Sequence, residues 1–251
     1  MDLQLTDRAF IVTGGARGLG RATADVLVAE GARVVVSGRS AETLAAVREE
    51  LGEAVEVVVA DNADPTTPER LVRAALDRWG RLDGALVSVG GPPRGPVTTI
   101  TDDQWTAAFE SVFLGAVRLG RELGAALPRG GSLAFVLSSS VRAPLADMAI
   151  SNGLRPGLAM VAKTLADELG PAGVRVNGLL PGRVETERVA ELDAATGDPE
   201  AARAAGVASI PLRRYGEPAE FGRVAAFVLS PAASFVSGVM LPVDGGMLRA
   251  L

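Results

Sequence analysis

Short apolar runs alternate along the chain with longer stretches in which apolar residues recur at helical spacing. Seven of the apolar runs are predicted to be strands, at residues 9–13, 33–37, 55–60, 85–89, 133–138, 174–180 and 239–243. Strands that alternate with helices are typical of a parallel sheet covered by helices on both faces. The pattern therefore predicts an α/β fold, built on one seven-stranded parallel sheet with right-handed crossovers.

The first predicted strand leads into a glycine-rich turn, and the turn leads directly into a helix. Gly14 permits a tight turn, Gly18 lets the backbone approach a pyrophosphate, and Gly20 allows the helix to pack closely. The N–H groups at the start of such a helix also attract phosphate. We interpret the turn as a dinucleotide site, with an ordinary glycine turn as the alternative. The expected contacts are Gly14, Arg17, Gly18, Leu19 and Gly20.

Composition and charge exclude several kinds of chemistry. The 251 residues include no cysteine and no histidine, so thiolates and the usual general base are absent and no metal site is predicted. A net charge of −5 without a basic run argues against nucleic acid and anionic membranes. The first residues are too polar for a signal peptide, and no apolar run reaches the ~20 residues of a membrane span. We expect one cytoplasmic domain over residues 1–251.

Four motifs follow one another along the chain: the glycine turn, residues 86–91, residues 174–182 and residues 243–246. In these motifs the chain resembles the short-chain dehydrogenase/reductase superfamily, and its 3-oxoacyl-acyl-carrier-protein reductases in particular, over nearly its whole length. The resemblance implies a doubly wound Rossmann fold. It also implies a homotetramer or homodimer, and the apolar tail at residues 234–251 fits burial at such an interface.

The same resemblance implies which residues surround the cofactor. Asp61 and its neighbour resemble the adenine contact of the superfamily, and Thr186 resembles the threonine that bonds the nicotinamide carboxamide. An exposed turn acid at Asp61 and a plain helix cap at Thr186 are the alternatives. The expected contacts beyond the glycine turn are Asp61, Asn62, Ser88, Gly90, Gly91, Pro181, Gly182 and Thr186.

The choice of coenzyme is predicted from the end of the second strand. Enzymes that select NAD usually place an acid there, which bonds the ribose hydroxyls. This chain has Gly38 at that point and Arg39 directly after it, while Arg17 lies in the glycine turn. Two guanidinium groups without a nearby carboxylate suit a 2′-phosphate. We therefore predict NADP rather than NAD, and two ordinary surface arginines are the alternative.

The resemblance further implies a catalytic serine, a Tyr-x-x-x-Lys pair and a helix asparagine. The spacing favours Ser138 as the serine, with Ser139 and Ser140 as alternatives. A serine cluster that merely satisfies backbone groups at the end of a strand is also compatible with the sequence.

The other three catalytic positions carry different residues. Counting from neighbouring motifs places Ser151 at the tyrosine position, Arg155 at the lysine position and Val112 at the asparagine position. Serine is a much weaker acid than a phenol, and arginine stays charged and cannot relay protons. Ser151 could still hold an oxyanion, and Arg155 could hold the nicotinamide ribose or stabilise negative charge.

Four further features concern the surroundings of this site. Pro156 predicts a helix that starts near it, with residues 151–153 as a loop over the cofactor. Residues 183–209 are predicted to be either a mobile lid or a solvated surface helix. Tyr215, the single tyrosine, is assigned to packing, with a place near the reactive ring as the alternative if the fold brings it there. Lys163 is assigned to the surface or an interface.

Three functions are compatible with the sequence. The favoured one is an NADP-dependent oxidoreductase that acts on a ketone or alcohol through an altered proton route. The second is a cofactor-binding protein without redox turnover. The third is a non-redox catalyst, such as an isomerase, dehydratase or cyclase, in the same pocket. The substrate is not predicted, because the least patterned segments form its pocket.

Overall fold

The computed structural model describes residues 1–250 and contains one parallel sheet in the order β3-β2-β1-β4-β5-β6-β7. Its strands are β1 Ala9–Val12, β2 Arg33–Gly38, β3 Val55–Val59, β4 Gly84–Val87, β5 Ser132–Val136, β6 Arg175–Pro181 and β7 Met240–Val243. The predicted fold class is confirmed, and no strand boundary differs by more than two residues from its prediction. The strand order reverses between β1 and β4, which is where α/β sheets bind ligands.

Nine helices surround the sheet within the described residues. They are α1 Gly18–Ala29, α2 Ala41–Leu51, α3 Thr67–Trp79, α4 Asp102–Ala108, α5 Gly115–Ala126, α6 Ala149–Leu169, α7 Glu187–Ala194, α8 Pro199–Ser209 and α9 Pro218–Leu229. One face of the sheet packs against α1, α2 and α9, with Phe10 and Phe221 in its core. The other face packs against α3, α5 and α6, around Phe135. The strands are apolar because both faces are covered.

Helix α6 begins earlier than the sequence predicts. It starts at Ala149 and includes Pro156, so the prediction of a loop at residues 151–153 was wrong. The Asn152 amide donates to the Leu145 carbonyl (2.8 Å) and accepts from the Leu145 N–H (3.0 Å). The Ala149 N–H also donates to the Gly95 carbonyl (3.2 Å). These contacts, of which only the one to Gly95 is long-range in sequence, hold the first turns helical despite the backbone N–H that proline lacks.

A π-helical turn at Phe109–Leu114 joins α4 to α5 beside this helix. Val112, at the predicted asparagine position, is buried in the turn. The Trp105 ring of α4 lies against Gly153 of α6, where a Cβ would come within 2.8 Å of the ring. The indole therefore packs on the first turns of α6.

The predicted interface at residues 234–251 stays a prediction, and its last residue, Leu251, lies outside the described residues. Phe235 is fully exposed. Lys163 is exposed on α6, as predicted, and its Nζ donates to the Gly238 carbonyl (3.2 Å). Within residues 1–250, no helix combines the length and the apolarity needed to cross a bilayer.

The start of α9 generates a prediction about acid stability. Glu220 accepts from the Glu217 N–H (2.8 Å) and binds Arg214 through both carboxylate oxygens (2.6 and 2.7 Å). The hydrogen bond from Arg214 is the main reason that the pKa of Glu220 falls to about 2, from 4.5. Because the folded pKa is the lower one, the ionised group stabilises the fold above about pH 4.5, and this contribution is lost as the pH falls towards 2.

We expect Glu220→Gln to lower the free energy of unfolding at pH 7 by roughly 0.5–1 kcal/mol, since the pair is part-exposed. The difference from the parent chain should shrink as the pH falls from about 5 to about 3. Urea unfolding at several pH values measures it, with Glu42→Gln in the first turn of α2 as control. A difference that does not change with pH would contradict this account.

Candidate functional site

The glycine turn lies where the sheet order reverses. Gly14 and Gly18 adopt positive φ angles of 57° and 58°, and a Cβ at Gly20 would collide with the Gly14 carbonyl. Thr13 Oγ1 joins this turn to β4, because it donates to the Ser88 carbonyl (2.7 Å) and accepts from the Ser88 N–H (2.9 Å). The turn is therefore fixed between β1 and β4.

The start of α1 suits a phosphate group. The helix begins at Gly18, and no side chain among residues 1–250 caps this end. Uncapped N–H groups in the first turn and the positive end of the helix dipole both favour an anion. Residues Leu19 and Gly20 supply N–H groups of this turn. The turn therefore fits the diphosphate of a dinucleotide.

Other predicted contacts lie along the same edge of the sheet. Asn62 Nδ2 donates to the Ser88 carbonyl (3.2 Å), which brings the end of β3 to the end of β4. Asp61 is exposed and accepts from the Ala63 N–H (2.9 Å), so its geometry also fits an exposed turn acid. At Gly90 a Cβ would meet no atom within 4 Å, so this side of the strand end faces open space.

The two arginines assigned to the 2′-phosphate are both exposed. Arg39 makes no ion pair with residues 1–250. The expectation that no carboxylate lies nearby was wrong for Arg17, whose Nη1 lies 3.3 Å from Glu187 Oε2. Glu187 is far away in sequence and reaches the turn because α7 begins beside it. Both side chains are 69% exposed, so this ion pair is weak.

Thr186 links α7 to the glycine turn. It lies after Pro181 and Gly182, at the end of β6, and its Oγ1 accepts from the Val189 N–H (3.4 Å) as the cap of α7. Its methyl group lies 3.8 Å from the position that a Cβ on Gly18 would occupy. The cap expected as the alternative is thus present, and the residue also borders the turn.

Three serines follow β5 and reach α6. Ser138 is half-buried, and its Oγ accepts from the Ser140 N–H (3.1 Å). Ser140 and Ser151 are buried, with their hydroxyl oxygens 3.1 Å apart. Ser140 is therefore the serine that contacts Ser151, whereas Ser138 keeps part of its surface accessible. Ser139 is buried and begins a short helical turn.

Arg155 lies one helical turn after Ser151 and is 5% exposed. Its Nη1 donates to the Val136 carbonyl at the end of β5 (2.6 Å). Burial lowers the pKa of Arg155 to about 10, so the guanidinium remains charged at neutral pH. No carboxylate among residues 1–250 forms an ion pair with it. Arg155 is thus a buried cation beside the serine cluster, without a counterion among the described residues.

Two arginines that the sequence reasoning missed connect α7 with the loop after β4. Arg188 Nη2 donates to the Pro92 carbonyl (2.7 Å), and its Nε lies 2.8 Å from the position of a Cβ on Gly91. Arg94 Nη1 donates to the Leu192 carbonyl (2.9 Å). Both arginines lie in segments without clear periodicity. Apart from their residue type, the sequence therefore does not indicate that they border the site. Residues 183–209 contain α7 and α8, and the start of α7 borders the glycine turn and the loop after β4.

Tyr215 lies outside the serine cluster. Its ring is 2% exposed and its hydroxyl donates to Asp193 Oδ2 (3.0 Å). This contact agrees with the packing role expected for the single tyrosine. The site therefore contains hydroxyl groups and a buried cation, and the one phenol of the chain is bonded elsewhere.

The parallel sheet, the strand-order reversal and the glycine turn with its uncapped helix define the class of α/β proteins that bind dinucleotides. Comparison with known proteins identifies the group within this class. A family model described as enoyl-(acyl carrier protein) reductase matches residues 14–248. The chain belongs to the short-chain dehydrogenase/reductase superfamily and is an oxidoreductase of that type.

Named relatives share the whole fold. The chain is 37% identical over 249 residues to an uncharacterised oxidoreductase of Mycobacterium tuberculosis, covering 96% of this chain and 91% of the relative. It is 34% identical over 259 residues to levodione reductase of Leifsonia aquatica, covering 98% and 96%. L-sorbose reductase of Gluconobacter frateurii, solved with NADPH and L-sorbose, is 27% identical with a TM-score of 0.93, covering 100% of both chains.

Arg155→Met tests the account of the buried cation. We expect the free energy of unfolding of the variant to equal or exceed that of the parent chain, with a loss of no more than ~1 kcal/mol. The reason is that replacing an uncompensated buried charge by an apolar side chain removes the cost of desolvating the charge. This relief offsets the lost hydrogen bond to Val136. Denaturant unfolding at pH 7 measures the difference. A loss of ~3 kcal/mol or more would show that the charge is compensated in the folded protein.

Proposed function

We propose that this chain is an NADP-dependent oxidoreductase that acts on a small carbonyl or alcohol substrate through an altered active site. The observation that supports this most is the juxtaposition of the uncapped α1 start with the Ser138, Ser140 and Ser151 cluster along one edge of the sheet. The first feature suits the diphosphate of the coenzyme, and the second offers hydroxyl donors for a carbonyl oxygen.

The preference for NADP is based on the arginines around the turn. Arg39 follows β2 directly, is exposed and pairs with no carboxylate among the described residues. Arg17 lies in the turn itself, paired only with the exposed Glu187. A phosphate with two charges competes well against one exposed carboxylate. The sorbose reductase with the same fold is described with NADPH, which supports this choice.

We assign the serines and Arg155 to the part of the site that would bind the carbonyl group of the substrate. Thr186 and Gly91 would hold the nicotinamide end of the coenzyme, which would supply a hydride to the carbonyl carbon when reduced. The partly accessible Ser138 hydroxyl donates to the carbonyl oxygen, and Ser140 orients Ser151 from behind. Arg155 places a permanent positive charge beneath this cluster, and that charge stabilises the negative charge that develops on the oxygen.

The proton that completes an alcohol has a different source in this chain from a tyrosine phenol. Neither serine nor arginine releases a proton near neutral pH. Water bound at the partly accessible Ser138 hydroxyl protonates the alkoxide oxygen, and the hydroxide ion left behind is neutralised by bulk solvent, while Arg155 keeps its charge throughout. Tyr215 does not take part, because its hydroxyl is bonded to Asp193.

The same observation favours a second candidate, a coenzyme-binding protein without redox turnover. A site whose hydroxyls are weak acids and whose cation cannot titrate binds a coenzyme as well as one with a phenol. It catalyses proton transfer less efficiently. A protein that only binds the coenzyme needs the phosphate-binding turn but does not need a proton donor beside it.

NADPH titration and turnover separate these functions. Calorimetry should give a dissociation constant for NADPH that is lower than that for NADH. Absorbance of the reduced coenzyme should fall with ketones, aldehydes or 3-oxoacyl thioesters. Tight binding without turnover across that panel would favour the binding protein. Consumption of a substrate with no change in the coenzyme would favour non-redox catalysis, and absence of binding to either coenzyme would exclude the proposal.

Arg39→Ala tests the 2′-phosphate assignment. We expect the NADPH dissociation constant to rise about 10-fold, since a charge-assisted contact to phosphate is lost. The NADH dissociation constant should stay within about 2-fold. Arg33→Ala is the matched control, because Arg33 begins the strand that Arg39 follows and pairs with Asp7 at the opposite edge. An equal rise for both coenzymes would contradict the assignment.

Ser138→Ala tests the carbonyl contact. We expect kcat to fall about 100-fold, as for other lost donors to a developing oxyanion, with the NADPH dissociation constant unchanged. The matched control is Ser132→Ala, at the other end of β5, whose hydroxyl donates to the Val228 carbonyl (3.2 Å). If kcat is unchanged in the Ser138 variant, a hydroxyl other than that of Ser138 donates to the carbonyl oxygen.

We also propose that the chain forms a homo-oligomer. Large apolar side chains are exposed on the π-helical turn and on α6, at Phe109, Leu114 and Met160. Apolar side chains grouped on neighbouring elements are typical of interfaces. Sedimentation of the purified chain measures its oligomeric state.

A further inference from the structure

A buried polar cluster fastens α7 to the end of β6. Asp193, near the end of α7, is 6% exposed, and its Oδ1 lies 2.5 Å from Nη1 of Arg183, which follows β6. Tyr215, in the segment before α9, donates its hydroxyl to Asp193 Oδ2 (3.0 Å). The same Arg183 nitrogen also donates to the Tyr215 oxygen (3.3 Å). Each of the three side chains contacts the other two.

Helix α8 closes the cluster from the other side. The Arg203 guanidinium lies over the Tyr215 ring, 4.7 Å from its centroid, at the distance of a cation–π contact. Gly206 faces the phenol, and a Cβ there would collide with the Tyr215 oxygen. Both helices of residues 183–209 therefore pack on one tyrosine.

The cluster keeps its protons in a fixed arrangement at neutral pH. Burial raises the pKa of the Tyr215 phenol, and the hydrogen bond to Asp193 acts in the same direction. The phenol stays protonated and donates to the carboxylate. A buried carboxylate requires such partners, because its desolvation is costly without them. Loss of the phenolic hydroxyl removes one of the two partners of Asp193.

The other end of α7 lies beside the glycine turn and the loop after β4, which together form the proposed nucleotide pocket. Thr186 borders Gly18, and Arg188 lies against Gly91. Helix α7 has eight residues and is about 12 Å long. Fixing its last turn therefore limits where Thr186 and Arg188 lie.

The contacts at the pocket end are individually weaker than the buried cluster. The Glu187 pair with Arg17 is exposed, and Arg188 and Arg94 each donate one hydrogen bond to a carbonyl. Exposed ion pairs contribute little to stability, whereas a hydrogen bond to a buried charged group contributes more. The Glu185 N–H donates to the Gly216 carbonyl (2.8 Å) and the Gly216 N–H donates to the Arg183 carbonyl (2.9 Å), so backbone bonds hold the residues before α7. Among side-chain contacts, the buried cluster is the main fastening of the helix itself.

We propose that Tyr215 and Asp193 are positioning residues that hold α7 over the nucleotide pocket through Arg183. The role assigned to the pocket rests on the proposed function. The single tyrosine thus acts on the coenzyme indirectly, by fixing the helix that carries Thr186 at its start, and it does not touch the reacting atoms.

Tyr215→Phe tests this role, because it removes one hydroxyl and keeps the ring under Arg203. We expect amide hydrogen exchange in α7 and α8 of the free protein to accelerate about 10- to 100-fold, from loss of a hydrogen bond to a charged group. Exchange in the sheet should change by less than about 3-fold. The NADPH dissociation constant should rise at least about 5-fold, and saturating NADPH should restore part of the protection of α7.

Ser209→Ala is the matched control. Its hydroxyl donates to the Gly206 carbonyl (2.7 Å) within α8 and makes no hydrogen bond to Asp193, Arg183 or Tyr215, so its loss should leave NADPH affinity unchanged. Asp193→Asn, which keeps an acceptor for the phenol but loses the charge, should show the same local acceleration. A purely structural role would instead lower the stability of the whole chain and accelerate exchange in the sheet and in α7 alike.

Two results would overturn the proposal: unchanged exchange in α7 for both variants, or local acceleration in α7 with unchanged NADPH affinity. Failure of the proposed function has a different signature. If the parent chain binds neither NADPH nor NADH, the nucleotide assignment falls and the link from the cluster to the coenzyme falls with it. Exchange in the free protein still shows whether the cluster fixes α7.

Discussion

The close approach between the Gly14 carbonyl and Gly20 determines where the rest of the site can form. It places the first turn of α1 directly behind the glycine turn, and any side chain at Gly20 would force the two apart. Thr13 fastens the same turn to Ser88 on β4. The helix start, the end of β4 and the open space at Gly90 therefore occupy one edge of the sheet, where the strand order reverses.

Positive charge is distributed around this edge in two different ways. Arg17 and Arg39 are exposed, where salt and solvent screen them and where they can recruit an anion from solution. Arg155 is enclosed beneath the serines, where the low dielectric strengthens its field and no described carboxylate opposes it. An enclosed guanidinium provides charge without a titratable proton. In the proposed function, the site therefore acts by electrostatic stabilisation more than by proton exchange.

The sheet and the glycine turn could be predicted from sequence because local spacing determines both. The strands are short apolar runs, and the glycines lie where positive φ angles and close contacts require them. Contacts between distant residues were not predictable in this way. Arg17 meets Glu187 across 170 positions, and local preference at Pro156 favoured a helix start that the contact between Ala149 and Gly95 overrides. For the same reason, the partner of Tyr215 became evident only in the folded chain.

The contact between Trp105 and Gly153 has an optical consequence. Gly153 lies two residues after Ser151 on α6, and its missing side chain leaves room for the indole. The chain has one other tryptophan, Trp79, which ends α3 on a different helix. Indole emission overlaps the absorption of a reduced nicotinamide, and energy transfer falls steeply with separation. Trp105 is therefore an intrinsic energy-transfer donor that lies against the helix carrying Ser151 and Arg155. Its fluorescence reports on the surroundings of that helix without any added label.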